Sequence, residues 1–188
     1  MIVPEQLYGC DLELIKKYWT VKPGDVCMDI GFGPGCWSIF AAVNGGFVYA
    51  FDPKPHAVTV LLNTLFAYKI PNCCVLPMGV WDSTGTVPFS IKNSQFDPEN
   101  GETDFAVTTL DDFVHGFALG RLDYINMDSE GAELKTVRAG LKTLAKFKPT
   151  VVIEVHDPDF YHEIQCLMKP LGYKFERTGQ FLIALPNK

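Results

Sequence analysis

Four short apolar runs in this chain each end on acidic side chains. Val26-Cys27-Met28 leads into Asp29-Ile30 and then Gly31-Phe32-Gly33-Pro34-Gly35. Phe47 to Phe51 leads into Asp52-Pro53, Leu122 to Met127 into Asp128-Ser129-Glu130-Gly131-Ala132-Glu133, and Thr150 to Ile153 into Glu154-Val155-His156. Like charges this close repel, so Asp128, Glu130 and Glu133 around one glycine mark a place that uses negative charge or proton acceptors. An imidazole ordinarily titrates near neutrality, which makes His156, beside Asp128 and Glu130, the first choice for a general base. Glu130 and Glu154 are alternative bases or orienting groups. Glu154 and His156 share a face, about 7 Å apart, if the strand runs through both. Asp128, Glu130, Glu154 and His156 together offer hard oxygens and an imidazole, a set that would admit a cation, although no resident metal is expected.

The elements that must position these groups follow from the spacing of apolar residues. Runs of about five apolar residues bounded by turn formers are buried strands, here Val26 to Ile30, Phe47 to Phe51, Cys73 to Pro77, Leu122 to Asp128 and Thr150 to His156. Between them, Trp37 to Val43, Pro55 to Tyr68, Leu134 to Phe147 and Tyr161 to Met168 return at helical spacing. Gly31, Gly33 and Gly35 thus lie between a strand and a helix N-terminus, where backbone N–H groups can face a ligand. The dinucleotide fingerprint Gly-x-Gly-x-x-Gly fails at its third glycine, where Cys36 stands. Asp52 lies about 20 residues beyond the first glycine, the distance at which doubly wound folds set a carboxylate on ribose hydroxyls. Val80 and Trp81, past the end of the third strand, are placed to flank a nucleobase, with Asp82 near its amino group.

The remaining pieces frame that alternation. Asp11 to Thr20 predicts an amphipathic helix capped by Asp11, with Leu12, Ile15, Tyr18 and Trp19 inward. Ser83 to Phe105 interrupts the pattern: Thr86 to Ile91 alternates like a strand, and polar Asn93 to Asp104 is expected to be a mobile loop that could cover a site. Thr108 or Thr109 caps a short helix, and Gly179-Gln180 makes a tight hairpin between Tyr173 to Glu176 and Phe181 to Leu185.

Composition narrows the partners. The 188 residues suit one domain, 1–188, with residues 1–22 as a helical cover and 83–105 as an insertion. A formal net charge of −6 and the absence of a Lys and Arg cluster argue against a grip on nucleic acid. Six cysteines without a Cys-x-x-Cys pair read as reduced, mostly buried thiols. No basic leader and no run of ~20 apolar residues is present, so a cytoplasmic protein with no membrane partner is expected.

The pieces Asp29-Ile30-Gly31 with its glycines, Phe51-Asp52-Pro53, Val107-Thr108-Thr109-Leu110-Asp111, Met127 to Glu133 and Val152-Ile153-Glu154-Val155-His156 occur in one order over roughly residues 24–157. In this the chain resembles FkbM-type methyltransferases, a branch of the class I S-adenosylmethionine-dependent fold. The resemblance implies an α/β, Rossmann-like single domain with a seven-stranded, mostly parallel sheet ordered 3-2-1-4-5-7-6 and helices on both faces. It also implies an enzyme that moves a methyl group from S-adenosylmethionine to an oxygen of a small molecule or sugar. Carried onto this chain, the cofactor set is Asp29, Gly31, Phe32, Gly33, Gly35, Trp37, Asp52, Pro53, Val80, Trp81 and Asp128. Asp29 would reach the ammonium end indirectly, and Asp128 doubles as a catalytic group beside His156, Glu130 and Glu154. Two departures stand out: Phe32-Gly33 where the family commonly has Ala-Asn, and Asn126 where it commonly has Lys. The alternatives are a non-catalytic binding module of the same fold and a NAD-dependent dehydrogenase.

Overall fold

The structure, a computed structural model, describes Leu14 and residues 17–187. Its strands are apolar on both faces because each face is covered. In β1 (Val26–Ile30), Met28 and Ile30 join one core and Cys27 joins the other, the period-two alternation of a pleated strand. β2 (Phe47–Phe51) divides likewise, with Phe51 on the first side and Val48 and Ala50 on the second. In β9 (Thr150–Glu154), Val151 and Ile153 oppose Val152.

Helices α1 (Cys36–Val43) and α2 (Pro55–Ala67) cover the second face through Trp37, Ile39 and Leu61. The first face is closed by α3 (Leu110–Gly116), α4 (Glu133–Arg138), α5 (Leu141–Phe147) and α6 (Phe160–Met168), which bury Phe113, Leu134, Leu144 and Ile164. With β3 (Cys73–Leu76), β8 (Tyr124–Met127), β10 (Tyr173–Thr178) and β11 (Phe181–Pro186) added, the main sheet runs β10-β11-β9-β8-β1-β2-β3. Numbered within that sheet alone, this is the expected 3-2-1-4-5-7-6 order. Among the described residues, β11 runs opposite to the other six strands of this sheet and pairs antiparallel with both β10 and β9. Its hairpin with β10 turns on Gly179-Gln180, and Thr178 pairs with Phe181.

A second sheet, β4-β7-β5-β6, contains the strand expected at Thr86 to Ile91 and takes in the stretch from Asn93 to Asp104, where a mobile loop was expected. It comprises β4 (Gly79–Val80), β5 (Gly85–Ser90), β6 (Gln95–Phe96) and β7 (Thr103–Thr108). The polar stretch from Asn93 to Asp104 is ordered because Phe96 packs with Trp81, Val87, Val107 and Ala132 into a small core of its own. Thr109 caps α3, its hydroxyl accepting from the Asp112 N–H. The single helix expected from Leu134 to Phe147 is instead α4 and α5, broken at Ala139-Gly140. A Cβ on Gly140 would sit 2.5 Å from Leu110 Cδ2, so the break lets the start of α3 dock closely.

Asp11, Leu12 and Ile15 of the expected leading helix lie outside the described residues. Trp19 is buried, edge-on to Trp37 with ring centroids 4.9 Å apart, as cover over the second face requires. Cys27, Cys73, Cys74 and Cys166 are free thiols. Cys27 is buried, Cys73 and Cys74 are half-buried, and Cys166 is exposed.

The tightest junction in the sheet is where β1 ends against β8. Gly31 has φ +77, and a Cβ there would fall 1.8 Å from the carbonyl oxygen of Asp128, a collision between backbones that no side-chain rotation relieves. Gly31→Ala is therefore expected to cost at least about 2 kcal/mol. Urea unfolding of the variant checks this, and an unchanged midpoint would refute the close approach.

Candidate functional site

The C-terminal ends of β1, β2, β8 and β9 form one rim, as the parallel register requires. Two clefts meet on it at Gly31 and Asp128. The first lies over the β2 side and is lined by Asp52, Pro53, Lys54, Val80 and Phe96. The second lies over the β9 side, against Phe32, Trp37, Asn126, Glu154 and Phe181.

Asp52 is fixed at the lip of the first cleft by backbone donors. Oδ2 accepts from Gly33 N–H at 3.1 Å and Oδ1 from Lys54 N–H at 2.9 Å. Burial raises its pKa, and those donors oppose the rise. Each oxygen keeps further acceptor capacity, so the carboxylate can receive a pair of neighbouring hydroxyls. Gly33 also lines the second cleft, and a Cβ on it would meet nothing within 4 Å. The bare backbone therefore leaves room for a ligand to approach the turn, and the residues present fit a nucleoside with a charged tail.

Asp29 is fully buried and stands behind the rim. Oδ2 accepts from Ser38 N–H at 2.9 Å and Ser38 Oγ–H at 2.6 Å, while Oδ1 accepts from Asn126 Nδ2–H at 2.9 Å. Burial pushes its pKa up to about 6 against these three donors. The carboxylate does not line the second cleft, and its partner Asn126 does.

The acids after β8 gather around His156. Nδ1 lies 3.0 Å from Oε1 of fully buried Glu133, and Nε2 lies 3.5 Å from Asp128 Oδ1 and 3.4 Å from Glu130 Oε2. The Glu133 oxygen also accepts from Gly131 N–H at 3.0 Å and Ser129 Oγ–H at 3.3 Å, which anchors the pair to the turn. The hydrogen bond to Glu133 and the surrounding carboxylates push His156 up to about 9 despite burial. The expectation of an imidazole titrating near neutrality is thereby corrected: three carboxylates hold it as a cation. Asp128 is pushed up to about 7, chiefly by burial and then by the nearby Glu154 charge, with the imidazolium opposing.

Glu154 lines the second cleft and accepts from the Gln180 side chain. β9 ends at Glu154, so the strand alternation does not carry through to His156. Among the described residues, ligand atoms of Asp128, Glu130 and His156 lie within 4.8 Å of one another. There the imidazolium already supplies the positive charge that balances the acids.

Other expected contacts divide. Phe32, Gly33 and Trp37 line the second cleft, and Gly31, Asp52, Pro53, Val80 and Asp128 the first. Gly35 lines neither: a Cβ on it would sit 2.5 Å from Leu61 Cδ1, so its bareness serves the packing of α1 on α2. Trp81 also falls behind the cleft, its ring 5.0 Å from that of Phe96, and Asp82 pairs at 3.9 Å with Lys135. Sequence reasoning missed Phe89, Ser94 and Phe96 of the first cleft, because they belong to the stretch read as an insertion. It also missed the ties made by Glu133 and Asn126. An amide within the apolar run Tyr124 to Met127 was the available signal for Asn126.

A glycine turn after a first parallel strand, acids at the tips of the second and fourth strands of the main sheet, and the 3-2-1-4-5-7-6 order define a class I methyltransferase-like α/β fold. Residues 25–175 match the Methyltransferase FkbM domain, and the chain belongs to that family. It is similar to the crystal structure of Methyltransferase FkbM from Methylobacillus flagellatus KT, at TM-score 0.67 and 18% identity over 89% of this chain and 45% of that one. A Streptococcus mutans chain solved in complex with SAH aligns at TM-score 0.58 and 12% identity, over 98% of this chain and 99% of its own. A curated relative in Methanococcus maripaludis, "Probable cobalt-precorrin-6B C(15)-methyltransferase (decarboxylating)", is 36% identical over 56 residues, 30% of this chain and 31% of its own. The match thus spans about a third of that curated relative and less than half of the Methylobacillus chain.

The charge state of His156 has a sign that can be tested. Its folded pKa is raised from 6.5 to about 9, so its contribution to stability is complete below 6.5 and is lost as pH rises through about 9. Asp128, raised from 3.8 to about 7, acts in the same direction at lower pH. Stability is expected to fall between pH 6.5 and 9, and His156→Gln should flatten that limb. An NMR titration of the ring protons should give a midpoint near 9, moving back toward 6.5 in Glu133→Gln. A wild-type midpoint near 6.5 would overturn the assignment.

Proposed function

We propose that this chain is an S-adenosylmethionine-dependent methyltransferase whose acceptor is an oxygen of a small molecule or sugar, acting as one domain. The observation that carries the reading is the convergence of Asp52, Gly31 and Asp128 on one rim, with a cleft on either side. When bound, S-adenosylmethionine supplies a methyl carbon already activated by its sulfonium. Asp52 would hold the ribose hydroxyls in the first cleft. Gly31 and Gly33 would let the backbone approach the ribose and methionyl portions, and Asp29 acts there through Asn126. Phe32 and Trp37 wall the second cleft, where acceptor and methionyl end would meet.

In-line displacement needs alignment above all, and then a group to take the hydroxyl proton. Asp128 suits that role, because a carboxyl titrating at about 7 is poised between holding and releasing a proton near working pH. His156, kept cationic by Glu133, orients Asp128 and Glu130 rather than serving as the free base. Glu154 keeps the far side of the second cleft acidic. A rim of Asp128, Glu130 and Glu154 repels a polyanion, which favours an uncharged hydroxyl acceptor over nucleic acid. Among the described residues, no helix is long and apolar enough to cross a membrane.

Calorimetry and thermal unfolding with S-adenosylhomocysteine and with NAD test the cofactor. S-adenosylhomocysteine alone should raise the midpoint. Asp52→Ala should weaken its binding roughly ten- to a hundredfold, the loss of about 1.5–3 kcal/mol for hydrogen bonds to a charged group. With labelled S-adenosylmethionine and a panel of hydroxylated acceptors, Asp128→Asn should slow transfer by about a hundredfold or more. Stabilisation by NAD instead would sink the proposal. Tight binding without turnover on any acceptor would favour a non-catalytic module.

A further inference from the structure

The two edges of the main sheet are built differently. β10 carries Lys174, Glu176 and Arg177, charges of the kind that keep an edge strand from pairing with another chain. β3, at the other end, reads Cys73-Cys74-Val75-Leu76 between Pro71-Asn72 and Pro77 and carries none. Among the described residues, β3 pairs with β2 alone. Val48 N–H donates to the Asn72 carbonyl and Asp52 N–H to the Leu76 carbonyl, so Asn72, Cys74 and Leu76 turn their backbone groups toward β2. By the alternation of a parallel ladder, the N–H and C=O groups of Cys73 and Val75 point outward.

The surface flanking that edge is equally poor in charge. Between Pro55 and Val80 the one Asp, Glu, Lys or Arg is Lys69, in a chain with 16 Lys and Arg and 22 Asp and Glu. α2 has no charged side chain, yet its outer side shows Leu62 at 49% exposure and Phe66 at 87%. A helix without a charged face is ordinarily covered all round. On the opposite face of the sheet Tyr49, which pairs with Cys74, meets the exposed ring of Phe117 at 5.9 Å between centroids. An open strand edge with uncharged, apolar surface on both faces has the depletion of charge that marks the centre of an interface.

Charge also says what covers it. A partner suited to this face offers an open strand edge and uncharged apolar surface of its own, and this chain supplies both. Copies at net charge −6 repel one another, and the repulsion is least where the approaching faces carry no charge. We propose that this face is the two-fold interface of a homodimer, in which β3 pairs antiparallel with β3 of a second copy and the Leu62 and Phe66 sides of the two α2 helices come together. With Cys73 opposite Val75 of the partner subunit, both outward sets of backbone groups are used. Cys74 then faces its own counterpart across the axis as a non-hydrogen-bonded pair, with Cα atoms about 4.5 Å apart, within the span of a disulfide. The seven-stranded sheet runs continuously through the dimer. This goes beyond the cofactor reading and does not rest on it.

Sedimentation of the whole chain over a concentration series tests the dimer, with Leu62→Glu/Phe66→Glu as the variant. Both side chains are exposed in a single copy, so the fold should survive the change, which circular dichroism and urea unfolding check. Wild type is expected to sediment as a dimer, and the variant to associate at least about a hundredfold more weakly, as when central apolar anchors of an interface are lost. Mild oxidation of wild type should link two copies through Cys74. The link should vanish in Cys74→Ser and persist in Cys166→Ser, which removes the exposed thiol. Wild type that stays monomeric, alone or on phosphatidylcholine vesicles, or a dimer that the double variant leaves intact, would overturn the proposal. A dimer broken by the double variant but not linked through Cys74 would overturn the pairing of β3 with itself.

Discussion

A carboxylate with no access to water holds the site together. Asp29 lies in the middle of the sheet, and an unpaired charge there would be costly to bury. It is tolerated because the first turn of α1 and an amide from β8 supply three donors. Those same bonds fix the angle at which the glycine turn leaves β1 and the position of Asn126 in the second cleft. Strand, turn, helix and neighbouring strand are thus tied at one point, and Gly31 can press against the Asp128 carbonyl beside it.

A second charge arrangement sits a few residues away and works differently. Glu133, Asp128 and Glu130 surround one imidazole, and Glu133 is itself anchored to the Gly131 N–H. Asp29 is satisfied by neutral donors, whereas the rim acids are satisfied by a proton kept on His156. The rim therefore carries a fixed cation among movable protons, an electrostatic setting in which Asp128 titrates near neutrality.

Parallel strands, the alternation with helices and the acids at strand tips were legible because each is a local pattern. Apolar runs such as Val48 to Phe51 report their own burial, and Asp52 follows the run directly. The Thr109 cap was legible for the same reason, since the cap hydroxyl bonds within four residues of itself. Of the second sheet only β5 was legible, in the alternation of Thr86 to Ile91. The sheet's strands are short and its core is Trp81, Phe96 and Val107, residues whose apolar character is diluted by polar neighbours in the chain. The Gly140 break was not legible; it serves contact with Leu110, thirty residues earlier.

By itself the sequence determined which residues could carry chemistry: hydrogen-bonding and titrating groups are properties of side-chain type, and the strand ends that expose them follow from short-range periodicity. Tertiary structure alone decided what those groups do. Whether an imidazole is a base or a cation depends on the acids that surround it in space, and His156 meets Glu133 from across twenty-three residues of chain. Whether an aromatic ring lines a cleft or only a core depends on what packs around it, and so Phe96, rather than Trp81, lines the first cleft. Charge and packing act through distance in space, which spacing along the chain does not encode.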